Sequence, residues 1–200
     1  MIITEYEQGT PEWLEVRLGK LSASRFNQLI TTTGKPSSSA DKYINLLISE
    51  RITGRREDVF VSQHMERGTK LETNARSSYE FETGNIVKEV GFILPYTDAE
   101  YGCSPDGLIG DDGGLEIKVP ANSTMIGYHR DESKLAVAYK QQVQGCMFVT
   151  GREWWDLYAY SESLNSICLR IERDDEYIFK MLVEINNAVT IVKAQTEKLI

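Results

Sequence analysis

The sequence predicts an α/β or α+β fold in which helices flank one mixed β-sheet. Three observations favour this class. Residues 10–82 carry apolar side chains at helical spacing, residues 86–119 change to the period of two that is typical of strands, and residues 134–198 predict a helix, two strands and a closing helix. With 200 residues, 41% of them hydrophobic, the chain can bury a core of its own.

We expect the whole chain, residues 1–200, to form a single domain. It divides into a helical part at about 1–84, a sheet core at about 85–175 and a C-terminal helix at about 174–198. The sequence contains no internal repeat, and its one low-complexity stretch, Thr31–Ser39, is typical of a surface loop.

Two short helical segments are expected near the N-terminus. Thr10 is a suitable N-cap and Pro11 a suitable first residue for a helix that ends at about Arg17. Ser22 or Ser24 can cap a second segment, because short hydroxyl side chains accept the free N–H groups of a helix start.

Two longer helices are predicted at 39–52 and 65–82. In the first, apolar residues recur at helical spacing, and Gly54 follows its end. In the second, the apolar stripe has a spacing of four residues and consists of Leu71, Ala75 and Tyr79.

Strands dominate the second half of the chain. The predicted strands are 86–94, 101–109, 115–119, 154–160 and 166–172, and the predicted helices are 134–147 and 174–198, the latter capped by Asp174. Gly110–Gly114 is rich in residues that tolerate positive φ, so it predicts a hairpin turn between the second and third strands. Pro120 ends the third strand because proline lacks a backbone N–H.

The composition excludes several classes of protein. A net charge of −8 argues against a protein with a generally basic, nucleic-acid-binding surface. No apolar run approaches the ~20 residues needed to span a bilayer, and the N-terminus lacks the basic segment of a secretory signal. Three cysteines without a CxxC pair indicate reduced thiols rather than a disulfide framework, a zinc site or an iron–sulfur cluster. We therefore expect a cytoplasmic protein without a membrane segment.

The charge is distributed unevenly along the chain. From Trp13 to Lys70, ten Lys and Arg residues stand against six Asp and Glu residues, whereas Asp98 to Glu116 contains six acidic residues and no basic one. This pattern suggests that the first segment binds an anion and that the second binds a cation. The alternative is that both segments are ordinary solvated surface.

Asp106, Glu116 and Lys118 form the candidate centre of chemistry. Side chains two residues apart on a strand share a face, so we expect Glu116 and Lys118 to point the same way and Ile117 to point into the core. The predicted hairpin brings Asp106, on the neighbouring strand, close to them.

Two adjacent carboxylates repel each other by about 4 kcal/mol at 4 Å and an effective dielectric constant near 20. Either one of them takes up a proton or a divalent cation lies between them. Oxygen ligands favour a hard ion, Mg²⁺ or Mn²⁺. Such an ion can polarise a phosphate and lower the pKa of an attacking water, with Lys118 nearby to orient or deprotonate that water. The alternative is a solvated Glu–Lys ion pair.

Glu72 is a further candidate, at the rim of the apolar stripe of the helix at 65–82. It could extend the group of carboxylates. The alternative is an ion pair with Arg76, one helical turn further on.

The set Glu72, Asp106 and Glu116-Ile117-Lys118 resembles the PD-(D/E)xK nuclease signature. More narrowly, the chain is similar to the lambda exonuclease and YqaJ-like viral recombinase family from about Trp13 to Tyr177. Ordered blocks carry this resemblance and are more specific than the short signature: Arg17-Leu18-Gly19, Ser22-Ala23-Ser24, Arg67-Gly68, Asn74-Ala75-Arg76, Cys103-Ser104-Pro105-Asp106-Gly107-Leu108, Gly114-Leu115, Gln142-Val143-Gln144 and Ile171-Glu172-Arg173-Asp174.

The resemblance implies a PD-(D/E)xK core and a Mg²⁺-dependent 5′→3′ exonuclease. Such an enzyme digests one strand of double-stranded DNA from its end to 5′-phosphomononucleotides and leaves 3′ single-stranded overhangs for recombination. In this reading Asp106, Glu116 and the Ile117 carbonyl hold the metal, for which Mn²⁺ can substitute, and Lys118 and Glu72 act on the water.

The resemblance also implies a pocket for the 5′-phosphate of the cut strand, formed by Arg17, Ser24, Ser104 and Gln144. An arginine fork and neutral donors suit a terminal phosphate. Without the resemblance, each of these residues has an ordinary alternative, such as a surface charge, a helix cap or a polar helix face.

A homotrimeric ring around DNA and a single-strand annealing protein as partner are further implications of the resemblance. The chain departs from the family pattern in the loop at 31–39, at Gly145-Cys146 and in its short C-terminus. Two other functions stay open: an endonuclease with the same metal chemistry, and a non-catalytic protein that binds DNA ends.

The remaining residues of interest have mainly structural expectations. We expect Trp13, Trp154 and Trp155 to pack in the core or on the sheet, with stacking on DNA bases as the alternative. His64 and His129 belong to no metal-binding motif. The basic residues that are candidates for phosphate contacts are Arg51, Arg55, Arg56, Arg67 and Lys70.

Overall fold

The structure is a computed structural model that describes residues 1–57 and 63–200, except for the side chains of residues 63–70. The backbone of residues 63–70 belongs to a helix. The expectations for the side chains of His64, Arg67 and Lys70 therefore lie outside the described residues.

A mixed β-sheet forms the centre of the fold. The described strands are, in chain order, β1 (Ile2–Ile3), β2 (Leu21–Ser22), β3 (Val87–Lys88), β4 (Ile93–Leu94), β5 (Tyr101–Gly102), β6 (Gly107–Ile109), β7 (Gly113–Lys118), β8 (Trp154–Ala159) and β9 (Ile167–Glu172). Five of them form the sheet in the spatial order β3-β6-β7-β8-β9, with β7 and β8 parallel and the other neighbours antiparallel. The short pairs β1–β4 and β2–β5 lie outside this sheet.

Helices surround the sheet and confirm the predicted α/β class. They are α1 (Pro11–Val16), α2 (Ala40–Thr53), α3 (Gln63–Thr83), α4 (Asn122–Arg130), α5 (Ser133–Thr150) and α6 (Asp175–Leu199), with a 3-10 helix at Ala23–Gln28. Thr10 and Asp174 cap α1 and α6 through their side chains, as the sequence predicts. Within the described part of the chain, no helix is long and apolar enough to cross a membrane.

The two faces of the sheet carry different helices. On one face α3 packs against β7 around a small apolar cluster that includes Ala75, Tyr79 and Ile117. On the other face α5 packs against β8 and β9, and the 3-10 helix packs on α5. The main core, which includes Phe26, Val143 and Leu157, lies on this second side.

The hairpin of β6 and β7 is held against the rest of the sheet by close contacts. A Cβ atom at Gly114 would lie 2.3 Å from the Trp155 ring, so only glycine allows β7 to approach β8 this closely. Nη1 of Arg152 donates hydrogen bonds to the carbonyl groups of Ile109, Gly110 and Gly113 at 3.1, 2.9 and 2.6 Å. These bonds fix the turn that joins the two strands.

Two of the predicted strands are interrupted. The segment 86–94 is divided into β3 and β4, and a Cβ atom at Gly91 between them would lie 2.3 Å from the carbonyl oxygen of Tyr6. The segment 101–109 is divided into β5 and β6 by the turn that contains Pro105, which has no N–H for a strand hydrogen bond. Helix α4 is an addition to the prediction.

Candidate active site

The hairpin places Asp106 and Glu116 next to each other, as the spacing predicts. The register pairs Gly107 with Leu115, so the next residues outward along the two strands are Asp106 and Glu116. Oδ2 of Asp106 accepts a hydrogen bond of 2.5 Å from the backbone N–H of Ile117. This bond holds the Asp106 carboxylate against the end of β7.

Glu116 is buried on the face of β7 opposite to Ile117, with 2% of its surface exposed. Its Oε1 atom forms an ion pair with Lys118 and accepts a hydrogen bond of 2.6 Å from Nε2 of Gln142 on α5. Its Oε2 atom is buried and has no hydrogen-bond partner among the described residues. A buried carboxylate oxygen without a partner is costly, so this atom is available for a ligand.

Lys118 lies at the wall of a cleft of about 490 Å³, together with Glu72, Asp106, Glu116 and Tyr139. The ammonium of Lys118 lies 4.8 Å from the centre of the Tyr139 ring. All four predicted catalytic side chains therefore line the same cleft. Tyr139 lines it as well, and the sequence did not indicate this residue.

Glu72 combines the two roles that the sequence left open. Its Oε1 atom accepts a hydrogen bond of 2.9 Å from Nη2 of Arg76, which is the expected ion pair along α3. Arg76 also pairs with Glu89 at 2.7 Å. Glu72 nevertheless lines the cleft together with Asp106.

Burial dominates the electrostatics of this site. Desolvation raises the pKa of Glu116 and of Asp106, and the ammonium of Lys118 opposes the shift in both. Desolvation also raises the pKa of Glu72, and the negative charge of Asp106 adds to the effect. For Lys118, burial lowers the pKa, but Glu116 and Asp106 more than compensate, so the net pKa is raised and the ammonium is retained.

The donor set fits a hard divalent cation that keeps part of its water shell. Among the side chains of residues 1–57 and 71–200, no three His, Cys, Asp or Glu residues form a metal-binding group by themselves. Asp106 and Glu116 offer two carboxylates, and the unpartnered Oε2 atom of Glu116 is available as a ligand. Mg²⁺ is commonly bound by one or two carboxylates, with water and phosphate oxygens as its other ligands.

A second polar group lies around Arg17, and we call Arg17, Ser22 and Ser24 the Arg17 cluster. Nη2 of Arg17 donates a hydrogen bond of 3.3 Å to Oγ of Ser22, which lies 3.1 Å from Oγ of Ser24. The guanidinium lies over the Trp13 ring at 3.9 Å from its centre. Nε1 of Trp13 in turn donates to Oγ of Ser104 at 3.2 Å. The structure thus connects three of the four residues predicted for phosphate binding.

The Arg17 guanidinium is half-buried beside two serine hydroxyl groups. Among the described side chains it makes no ion pair, although charges removed from water are normally paired. Burial lowers the pKa of Arg17 to about 10, and the positive charge of Arg56 adds to this effect. These properties suit the binding of an anion.

Gln144, the fourth residue predicted for the phosphate pocket, does not join the Arg17 cluster. Its Nε2 atom donates to the carbonyl of Glu172 at 2.8 Å, and its Oε1 atom accepts from the N–H of Asp174 at 2.9 Å. With both ends of the amide bound to backbone, Gln144 joins α5 to the segment between β9 and α6. The glutamine that contacts Glu116 is Gln142, two residues earlier.

The other expectations for side chains are met in part. Trp155 is fully buried in the core. The guanidinium of Arg170 lies over the Trp154 ring, 3.6 Å from the ring centre. Nε2 of His129 lies 2.9 Å from the carbonyl oxygen of Asn165. Among the basic candidates for phosphate contacts, Arg51 is paired with Glu100, whereas Arg55 and Arg56 are exposed.

Comparisons with known proteins agree with this geometry. The family model of the YqaJ-like viral recombinase domain matches residues 12–153. The alkaline exonuclease of Laribacter hongkongensis is 40% identical, with a TM-score of 0.86 over 95% of this chain and 96% of that one. The crystal structure of that exonuclease in complex with dAMP has the same identity and coverage and a TM-score of 0.85. A search of curated proteins found no match.

A more distant structure shares the fold. A phage-related exonuclease from Haemophilus somnus 129PT is 12% identical, with a TM-score of 0.68 over 90% of this chain and 96% of that one. The structural matches confirm the predicted PD-(D/E)xK fold.

Proposed function

The chain belongs to the YqaJ-like viral recombinase family and is a nuclease, and from this premise we propose that it digests one strand of double-stranded DNA from its 5′ end with Mg²⁺ as cofactor. The products are 5′-phosphomononucleotides and a duplex with a 3′ single-stranded overhang. Its relative from Laribacter hongkongensis is an exonuclease at 40% identity, which supports the removal of terminal nucleotides rather than internal cutting.

The observation that carries this proposal is the state of Glu116. A carboxylate with 2% exposure has one oxygen bound to Lys118 and Gln142 and the other bound to nothing among the described residues. An arrangement of this kind destabilises the fold, and a cation at Oε2 would reverse the cost. The neighbouring Asp106 supplies the second negative charge.

Asp106, Glu116 and the carbonyl of Ile117 would hold Mg²⁺, for which Mn²⁺ can substitute. When bound, the ion supplies a Lewis acid that polarises the scissile phosphate and lowers the pKa of a water. Lys118 keeps its ammonium in the cleft, where it can stabilise negative charge on the phosphate or orient the water. Glu72, whose raised pKa brings it closer to neutral pH, is the candidate to accept the proton of that water.

The Arg17 cluster supports recognition of the terminal phosphate. A guanidinium without an ion pair among the described side chains, together with two hydroxyl groups, presents donors to an anion. Trp13 and Ser104 connect this group with the turn that carries Asp106. The removal of one nucleotide at a time requires such a connection between the group that binds the end and the carboxylates. The 5′ polarity follows from the family resemblance.

Digestion of matched DNA substrates tests the function. Linear duplex with 5′-phosphate ends, incubated with Mg²⁺, should lose one strand and release mononucleotides, whereas covalently closed circular duplex should stay intact and EDTA should stop the reaction. Strands labelled at either end reveal the polarity. Cutting of the circle would show an endonuclease, and binding of ends without any product would show a non-catalytic end-binding protein.

The phosphate assignment has its own test. Arg17→Ala should reduce the preference for 5′-phosphate over 5′-hydroxyl ends by about tenfold or more, because a charge-assisted contact to phosphate is lost. Arg130→Ala, which removes an exposed arginine at the end of α4, is the matched control and should keep the preference. An unchanged preference in Arg17→Ala would remove the cluster from the proposal.

The resemblance also supports a homotrimer and a single-strand annealing protein as partner. We include both in the proposal. Sedimentation of the purified chain, alone and with such a protein, tests them, and a monomeric species at micromolar concentration would contradict the trimer.

A further inference from the structure

Trp13 links the two parts of the proposed site. The face of its indole ring lies under the Arg17 guanidinium at 3.9 Å, and its Nε1–H donates to Oγ of Ser104 at 3.2 Å. Ser104 belongs to the same turn as Asp106, two residues further on. One side chain thus contacts both the anion-binding group and the turn that carries a predicted metal ligand.

The Trp13 ring is itself held in place. Its backbone N–H donates to Oγ1 of Thr10, the cap of α1, at 3.3 Å, and Oγ1 of Thr10 donates to the carbonyl of Glu7 at 2.7 Å. The ring packs on a small apolar cluster formed by Phe92, Leu94 and Ala99. Because backbone, ring face and ring N–H all have partners, the side chain has little freedom to move.

The segment before Trp13 is also tied to the turn at residues 103–107. Nε2 of Gln8 donates to the carbonyl of Pro105 at 2.8 Å and to that of Val90 at 3.0 Å. Trp13 lines a cleft of about 830 Å³ whose walls include Glu72 and Asp106. The ring therefore borders the space next to the carboxylates.

We infer that Trp13 is a positioning residue that holds the Arg17 guanidinium at a fixed place relative to Asp106, so that a terminal phosphate and the scissile phosphate can be bound at the same time. This inference rests on the proposed function. It assigns a role to a side chain for which the sequence indicated packing, with stacking on DNA bases as the alternative.

The physical reason is the flexibility of arginine. A free arginine side chain loses substantial rotamer entropy when it binds an anion, whereas one already held by an aromatic face has lost most of it beforehand. A cation–π contact and one hydrogen bond together account for about a tenfold effect on binding. Trp13 thus improves recognition of the phosphate without contacting the phosphate itself.

Two variants separate the parts of this role. Trp13→Phe keeps an aromatic face for Arg17 and loses the N–H that binds Ser104, and Trp13→Leu loses both. The measured quantity is kcat/KM on 5′-phosphate ends divided by kcat/KM on 5′-hydroxyl ends. We expect this ratio to fall about tenfold in Trp13→Leu and about two- to fivefold in Trp13→Phe. A merely structural role would lower both rates equally and leave the ratio as it is.

The double variant Trp13→Leu/Arg17→Ala shows whether Trp13 acts through Arg17. If it does, the ratio in the double variant equals that in Arg17→Ala, because the two losses are not additive. If the losses multiply, Trp13 acts independently and the inference is wrong. Trp154→Phe is the control, since Trp154 also stacks with an arginine, on β8, and this change should leave the ratio as in the wild type.

The failure of this inference is distinguishable from failure of the proposed function. A wild-type chain that releases no nucleotides from linear duplex overturns the proposed function and, with it, the inference. A wild-type chain that digests linear duplex without a preference for 5′-phosphate ends overturns the inference and the phosphate assignment of the Arg17 cluster, but not the digestion. A wild-type preference that survives in both Trp13 variants overturns the inference alone. Thermal melting of each variant accompanies the assay, and if Trp13→Leu does not fold, the ratio in Trp13→Phe decides: a fall of less than twofold contradicts the positioning role.

Discussion

Glu116 and Asp156 lie on neighbouring strands of the sheet and are equally buried, with 2% exposure each, but their hydrogen bonding differs. Asp156 accepts two hydrogen bonds of 2.9 Å from Arg170 and one of 2.6 Å from the hydroxyl of Tyr79, so that both of its oxygens are bound. Glu116 has one oxygen with two partners and one with none among the described residues. The first carboxylate stabilises the fold, whereas the second is available for function.

This contrast predicts stability changes of opposite sign. Glu116→Gln should raise the melting temperature at pH 8 by about 2–4 °C, equivalent to about 1 kcal/mol in a chain of this length. It removes a buried negative charge, and Asp106 still offsets the positive charge of Lys118. Asp156→Asn should lower the melting temperature, because it leaves Arg170 without its partner. Calorimetry of both variants checks the prediction, and a loss of stability in Glu116→Gln would contradict it.

The increase in melting temperature caused by Glu116→Gln should depend on pH. Burial raises the pKa of Glu116 from about 4.5 to about 7. A carboxyl group whose pKa is raised by folding binds a proton more tightly in the folded state, so the folded state loses stability as the pH rises through this range. The difference in melting temperature between variant and wild type should therefore be small at pH 5 and full at pH 8. The same difference at both pH values would show that Glu116 keeps an ordinary pKa.

Divalent cations should stabilise the wild-type chain. Binding to the folded state alone raises the free energy of unfolding by about 2.7 kcal/mol at a concentration of 100 times Kd. Mg²⁺ or Mn²⁺ should therefore raise the melting temperature of the wild type by several degrees, and by much less in Asp106→Asn or Glu116→Gln. The control is NaCl at matched ionic strength. Equal shifts in all three proteins would place the cation elsewhere.

Lys118→Met should abolish cleavage and leave DNA binding in place. The substitution keeps an unbranched side chain only one atom shorter and removes the ammonium that faces Glu116 and the cleft. We expect kcat to fall at least ~100-fold, as is typical when a group that stabilises transition-state charge is lost. Lys134→Met, on an exposed lysine of α5, is the matched control. Cleavage at more than a tenth of the wild-type rate would exclude Lys118 from the reaction.

Gln142 and Gln144 should behave differently although they are two residues apart on α5. Gln142→Ala removes the only neutral donor described for Oε1 of Glu116, so we expect a loss of activity of about 10- to 100-fold with little change in stability. Gln144→Ala leaves the carbonyl of Glu172 and the N–H of Asp174 without their partner, so it should lower stability by about 1–3 kcal/mol. Loss of the 5′-phosphate preference in Gln144→Ala would restore the original assignment of that residue.

The placement of Asp106, Glu116 and Lys118 on the hairpin was predictable because it depends on local spacing. Alternation along a strand places Glu116 and Lys118 on one face, and the glycine-rich turn limits the register to one that brings Asp106 beside them. Helices with a repeated apolar stripe, such as α2 and α3, were predictable for the same reason. The cap residues Thr10 and Asp174 carry their signal in the sequence itself.

Features that depend on tertiary contacts could not be predicted. Helix α4 has few buried residues, among them Met125 and Tyr128, and contains Gly127, so its apolar pattern is too weak to detect. The choice between Gln142 and Gln144 depends on which side of α5 faces β7 and which faces β9. The link from Trp13 to Ser104 joins residues 91 positions apart, and no local pattern predicts such a contact.

The hydrogen bond from Ile117 to Asp106 also bears on the choice between metals. It occupies Oδ2, and Lys118 and Gln142 occupy Oε1 of Glu116, so each carboxylate retains a single oxygen to give. Calcium takes six to eight ligands and can bind both oxygens of one carboxylate, whereas magnesium requires six ligands in a nearly ideal octahedron. If the proposed metal binds here, carboxylates that each offer one oxygen would therefore favour magnesium over calcium, independently of the difference in ionic radius.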